Sequence, residues 1–425
     1  MELGRNANHF GPYLIVENCF KLKLLSYDRL IELCNEKMMI YDNYRLPEAY
    51  LELLEKVHFE KNGKQYSHGI TEVKDVNTIR RKLADLYINN ADQTIDAYRK
   101  IELFTKAISM LKRLNNTENE RNCIRKKLDI AQQDGFSQLK KYPMEFDISN
   151  TVKHILSCLD ALSSEEYLYF FITIIPLSTK EKLQEETLRS QKEFVFKNLF
   201  PVILLDRRGK KKVMVPPLNT EIPSEADLLA NMQIAAREEY DIHASIFIKY
   251  IFNEMHSRAF DAKPYIDNLV EKSYFVPNTR KNAFKTGLMA GYNYDFISSM
   301  SVLIPQIENA VRCLAEECSD VVYNIDVDGF EEVKTMDGIL NLLCINECID
   351  ETVLFHIKTV FNSKFGYNMR NEIAHGLVEE NEFASLQMIY IWWFILWLCF
   401  TFSRVDNNLM QSINRKLAPI KIENK

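Results

Sequence analysis

The stretch IYIWWFILWLCFTF, residues 389–402, decides the architecture. It is 14 aromatic, aliphatic and small residues without a single charge. A helix that crosses a bilayer needs about 18 or more apolar residues, so this one is too short. It reads instead as a helix buried on most of its sides. The rest of the chain agrees with helices. Twelve glycines and 12 prolines in 425 residues are few, and long helices with few breakers follow more naturally than a strand-rich fold. The C-terminal half is expected to be a bundle of antiparallel helices with short loops.

Bulk properties narrow the function. A chain of 425 residues exceeds what one core usually holds, so two domains are expected. Composition is 47% hydrophobic and 26% charged, in the range of soluble globular proteins. The formal net charge of −6 speaks against extended, non-specific nucleic-acid coating, though not against a small site acting on one phosphate. Nine cysteines are scattered with no CxxC. Cys344 and Cys348 are one helical turn apart and could supply half a zinc site, but no second His or Cys pair stands at suitable spacing. Reduced, buried thiols are the simpler reading, with neither metal nor cofactor expected. MELGRNANHFGPYL at the start has no basic-then-apolar signal pattern, so a cytoplasmic protein without membrane segments is expected.

Along the chain, Ile95, Tyr98, Ile101, Phe104, Ile108 and Leu111 recur at helical spacing on one face. NNTENE, residues 115–120, interrupts, and Gly135 is expected to stop the following charged helix. Ser163 with Glu166 forms a capping-box signature before YLYFFI, and Ser178 with Glu181 repeats it before a helix expected to end near Phe200. FPVILLDRRGKKKVMVPPL then offers two short apolar runs around a basic turn, a small β-hairpin near 201–215. Its Arg207, Arg208, Lys210, Lys211 and Lys212 could touch phosphate or simply decorate a solvated tip. Pro216, Pro217 and Pro223 mark a boundary, and Ser224 caps the next helix. Residues 283–317 read as two helices around a turn near Tyr292, the second broken or kinked by Pro305. The expected organisation is a helical N-terminal domain over 1–195, a hairpin and linker over 196–222, and a helical C-terminal domain over 223–425.

YNMRNEIAHGLV, residues 367–378, is either an ordinary helix end with a few polar residues or the place where chemistry happens. Histidine can take or give a proton near neutral pH, and arginine presents a flat fork of donors matched to phosphate oxygens. Together they suit cleavage of an RNA phosphodiester by its own 2′-hydroxyl, a reaction that needs no metal and that DNA cannot undergo. One histidine per chain is a poor supply of both acid and base. A two-fold dimer would bring two copies of Arg370 and His375 to one cleft. A looser match, Arg237 to His243, lies in an amphipathic helix and reads as a surface arginine and a helix histidine. Around the motif, Gly366, Ala374 and Gly376 are small and leave room for close backbone approach or a ligand.

RNEIAHG resembles the Arg-Asn-x-x-x-His-Gly signature of a bacterial and eukaryotic domain of unknown function in the HEPN superfamily. GLMAGYNYDFISSMSVLIPQIENAVRCLAEE resembles the helix pair upstream of that signature. The resemblance runs from about 287 to 404, more loosely from 200, and leaves residues 1–195 unmatched. It implies a dimerising bundle of four or five helices and a metal-independent endoribonuclease site, with Arg370 and His375 catalytic and Asn371 supporting. It also places Glu308 and Arg312 on a helix facing the site, where an ion pair within the helix is the competing reading. Related proteins serve as toxins or anti-phage effectors, while others have lost activity. Two readings follow. One is a cytoplasmic, homodimeric endoribonuclease acting on RNA, its N-terminal part regulatory or sensing. The other is a non-enzymatic module that dimerises and binds a nucleotide or a partner protein, the N-terminal half recruiting the partner. A third treats His375 as a core histidine bonded to a backbone carbonyl.

Overall fold

A computed structural model describes residues 11–38, 45–63, 74–140, 147–194, 200–206, 209–218, 223–318, 322–325 and 328–404. The protein is mostly helical with two small two-stranded sheets, as the scarcity of breakers implies. Packing divides it into two units, residues 1–143 with 205–211, and residues 144–204 with 212–425.

The first unit consists of α1 (Gly11–Lys21), α2 (Tyr27–Met38), α3 (Arg45–Lys61), α4 (Lys74–Gln93), α5 (Ala97–Leu111) and α6 (Glu118–Ser137). Its core gathers Leu30, Tyr50, Val57, Leu83, Tyr87 and Phe104. Within it, Arg80 and Glu55 form a fully buried ion pair at 2.7 Å. The expected apolar face of α5 is buried at Ile101, Phe104, Ile108 and Leu111, but Ile95 is 94% exposed. Asp96 caps α5 by accepting from the backbone N–H groups of Tyr98 and Arg99, so Ile95 precedes the helix and the 3.6-residue period no longer governs it. Gly135 does not stop α6, which runs on to Ser137. Its missing side chain instead lets Ile101 approach, and its carbonyl accepts from the Tyr98 hydroxyl at 2.9 Å.

The second unit begins with α7 (Ser149–Asp160), α8 (Ser164–Thr173) and α9 (Lys180–Glu193). These helices, which the sequence reading groups with the N-terminal part, lie in the second unit. The capping box of Ser163 and Glu166 is formed at α8. At α9 the cap is Thr179, which accepts from Lys182, while Ser178 turns away and donates to Glu239. That helix ends at Glu193, short of the expected Phe200. Strands β1 (Val202–Leu205) and β2 (Lys211–Val215) form the expected hairpin. A second, β3 (Tyr323–Ile325) with β4 (Glu331–Val333), has no counterpart in the sequence reading.

Helix α10 (Glu225–His243), capped by Ser224, passes through a π-helical turn (Ala244–Ile248) into α11 (Lys249–Ser257). There follow α12 (Lys263–Lys272), α13 (Lys281–Tyr292), α14 (Phe296–Glu317), α15 (Met336–Leu340), α16 (Leu343–Cys348), α17 (Glu351–Ile357), a second π turn (Lys358–Asn362), α18 (Met369–Ala374) and α19 (Leu386–Thr401). Pro305 lies inside α14 without ending it. The carbonyl it leaves unpaired belongs to Ser301, which is exposed to water, while Leu303, Ile304 and Ile307 bury the opposite face.

Helix α19 is the expected buried helix. Tyr390, Trp392, Trp393 and Phe394 are wholly inaccessible. Both indoles find acceptors, Trp392 Nε1 on the Leu288 carbonyl and Trp393 Nε1 on that of Phe171, each at 2.9 Å. Gly287 and Gly291, one turn apart on α13, make the fit possible. A Cβ on Gly287 would stand 2.6 Å from Leu303, and one on Gly291 would stand 2.2 Å from Trp392. Among the described residues, no helix is long and apolar enough to cross a membrane.

Candidate RNA-cleaving site

The motif occupies α18 and its two ends. Before it, the chain passes so close to Thr359 that a Cβ on Gly366 would lie 1.8 Å from the Thr359 carbonyl oxygen, which accepts from the Tyr367 N–H. Tyr367 and Met369 point inward and anchor the helix. The Tyr367 hydroxyl donates to Asp241 on α10 at 2.6 Å. Asn368 adopts a left-handed conformation, φ 54°, to start the helix. At the other end, Leu377 N–H returns to the Glu372 carbonyl and Gly376 N–H to that of Ile373, a Schellman termination. Gly376 has φ +61° with open space around it, so its glycine serves the turn and not close approach. Gly376 is thus explained by the turn, and Gly366 is a true close contact.

Arg370 meets α14. Its Nε donates to Glu308 Oε2 at 2.9 Å, while Arg312 Nη2 donates to the other oxygen, Oε1, at 3.1 Å. Glu308 therefore forms the ion pair within its own helix and also pairs with the motif arginine 62 positions away. Glu308 and Arg312 side chains are 16% and 17% exposed, and that of Arg370 is 35% exposed. The Arg370 terminal nitrogens carry no hydrogen bond to a described residue. Arg312 Nε is buried without an acceptor among the described residues. One carboxylate between two guanidinium groups leaves a local surplus of positive charge in a chain of net charge −6.

His375 caps α18 and is exposed. That excludes the core-histidine reading. The contrast is His356, fully buried, whose Nε2 donates to the Ser178 carbonyl and whose Nδ1 accepts from the Tyr240 hydroxyl. Burial pushes the His356 ring down to about 4. Asn371 lies one turn before His375 on the same side of the helix, while Arg370 is turned roughly 140° away. Within one chain the structure joins Arg370 to Glu308 and Arg312, and no hydrogen bond links His375 to any of them.

The basic hairpin residues are divided. Arg207 and Arg208 lie outside the described residues. Lys210 pairs with Asp129 at 2.9 Å in the first unit. Gly209 in that turn lies against α6: a Cβ on it would meet the Gln132 carbonyl at 2.3 Å. Lys211 is exposed. Lys212 reaches Glu372 on α18 at 2.6 Å, joining the motif. Glu372 was not singled out by sequence; 160 positions separate it from its lysine, and no local spacing signals such a pair. Of the looser match, Arg237 stacks over the Tyr367 ring at 5.7 Å, and His243 is largely buried with its ring pushed down to about 4 by burial. Arg237 thus packs on the tyrosine that anchors α18, while His243 lies beside Glu239 and Phe247.

The fold and site together define an all-α protein carrying a clamped arginine and an exposed histidine on one short helix. No family model, curated protein or solved structure matches this chain.

Proposed function

We propose that the protein is a metal-independent endoribonuclease of the HEPN type, acting as a homodimer. The observation that carries the reading is the mounting of Arg370. Glu308 holds its Nε, the side chain is about one-third exposed, and its terminal nitrogens bond no described residue, so they can donate to a phosphate. His375 is exposed at the end of the same helix, where a substrate could reach its ring. Because Arg370 and His375 diverge around α18, a site that uses both draws on a second copy, the arginine of one protomer and the histidine of each serving as electrostatic clamp, base and acid around one linkage. Asn371, on the side of His375, supports the ring or the RNA, and Lys212, paired with Glu372, stands beside them.

The test is incubation of purified protein with RNA in EDTA, beside Arg370→Ala and His375→Ala. The expected result is cleavage by the wild type only, with 2′,3′-cyclic phosphate ends and no cleavage of DNA. Equal activity in all three proteins overturns the proposal. A toxin or defence role adds that wild-type expression arrests growth and His375→Ala does not.

A non-enzymatic reading has one observation in its favour: Glu308 already neutralises much of the Arg370 charge. On that reading His375→Ala dimerises and functions normally, and wild-type protein leaves RNA intact.

A further inference from the structure

Lys212 and Glu372 join β2 to the motif helix at 2.6 Å, with the lysine side chain 35% exposed and that of the glutamate 17% exposed. The strand beneath the lysine is fixed. Val213 and Val215 are buried, and the Pro216 carbonyl accepts from Asn231 Nδ2 at 3.0 Å. Only the flexible lysine stem is left to move. Glu372 stands three positions before His375. At roughly 100° per residue the two side chains emerge about 60° apart on α18, and residues three apart lie about 5–6 Å from each other at Cβ. In the structure the Glu372 carboxylate turns to the lysine and forms no hydrogen bond with the His375 ring. One carboxylate thus has two partners in reach, the ammonium it holds and the imidazole it does not. Glu308 is engaged elsewhere, with its two oxygens on Arg370 and Arg312.

We infer that the substrate operates this pair: an RNA phosphate takes Lys212, and the released Glu372 turns to accept a hydrogen bond from His375 and orient its ring. The inference rests on the endoribonuclease reading of α18. In the free protein Glu372 neutralises the Lys212 charge. Ion pairs at partly exposed sites are weakly held, so a phosphate beside the ammonium can displace the carboxylate. The freed carboxylate is then largely buried and unpaired, which is costly, and the His375 ring is a donor within its reach. With one ring nitrogen donating to Glu372, the other is left as an acceptor. That is the form in which the ring takes the proton of the 2′-hydroxyl, and the carboxylate steadies the imidazolium that results. Lys212 therefore touches the RNA, while Glu372 acts through His375 and is a positioning residue. Coupling the two delays the orienting of His375 until a phosphate has arrived.

The test measures steady-state cleavage of a short fluorescent RNA by the full-length wild type, Lys212→Met and Glu372→Gln. It also measures binding of the same RNA made uncleavable by a 2′-deoxy group at the scissile position. Lys212→Met is expected to raise KM and Kd several-fold with little change in kcat, because Glu372 is free from the start. Glu372→Gln is expected to lower kcat by roughly tenfold while Kd falls, because the ammonium has lost its internal competitor. A plain structural tie between β2 and α18 predicts instead that both substitutions lower kcat alike and that the reversed pair, Lys212→Glu with Glu372→Lys, restores activity. Either of those results overturns the inference, as does an unchanged kcat in Glu372→Gln. A wild type that leaves RNA intact ends the endoribonuclease reading and this inference with it. A wild type that cleaves RNA beside two variants that behave alike ends this inference alone.

Discussion

Glu308 holds two guanidinium groups with one carboxylate, and this explains why a charged residue tolerates near-burial on α14. If Arg370 binds RNA as proposed, this clamp makes Glu308 a positioning residue. Glu308→Gln is expected to reduce the RNA cleavage rate by roughly tenfold through kcat, with KM for RNA not raised, because the arginine loses its orientation and keeps its charge. Steady-state kinetics on a short fluorescent RNA would show it, and an unchanged kcat would refute the positioning role. His356 supplies a second prediction. Its ring is held neutral, at about 4 in the folded protein against an ordinary value near 6.5. Between these values the unfolded chain binds the proton and the folded chain does not, so stability is full above the unfolded value and is lost as pH falls toward about 4. Urea unfolding should lose about 2 kcal/mol between pH 7 and pH 5 from this residue, a slope that His356→Phe reduces.

At the scale of elements, two features separate local from tertiary causes. The capping box at α8 and the Ser224 cap at α10 were legible because each depends on residues three positions apart. Ser178 was misread as a cap because its hydroxyl has a better partner in Glu239, 61 positions away. Pro305 was expected to break or kink α14; the helix is not broken there, and the Ser301 carbonyl the proline cannot pair faces water. Pro305→Ala should therefore stabilise the protein, by up to about 3 kcal/mol in urea unfolding. A loss of stability would instead show that α14 needs a bend there. The glycines of α13 behave in the opposite sense. Gly291→Ala forces a methyl into Trp392 and should cost about 1–3 kcal/mol.

For the whole molecule, net charge −6 combined with a local cluster of Arg370, Arg312 and Lys212 describes a protein that engages few phosphates. The dependence of log kcat/KM on log salt should then be shallow, with a slope of about −2 or less in magnitude. A slope near −6 would mean an extended RNA track that the present site lacks. The proposed composite site also predicts that specific activity rises with protein concentration through the monomer–dimer equilibrium, in step with sedimentation. Constant specific activity for a monomeric species would end the homodimer reading.

The sequence alone determined that this chain is helical, that residues 389–402 form a buried helix, and that the RNEIAHG stretch holds the chain's best candidate chemistry. Those conclusions rest on breaker content, 3.6-residue periodicity and caps, all of which act between near neighbours. Tertiary structure alone decided which charges meet. Glu308 finds Arg370, Lys212 finds Glu372, and Trp393 finds the Phe171 carbonyl across separations of 62, 160 and 222 positions. No local period encodes such pairs, because they exist only once packing around α19 has brought distant helices into contact.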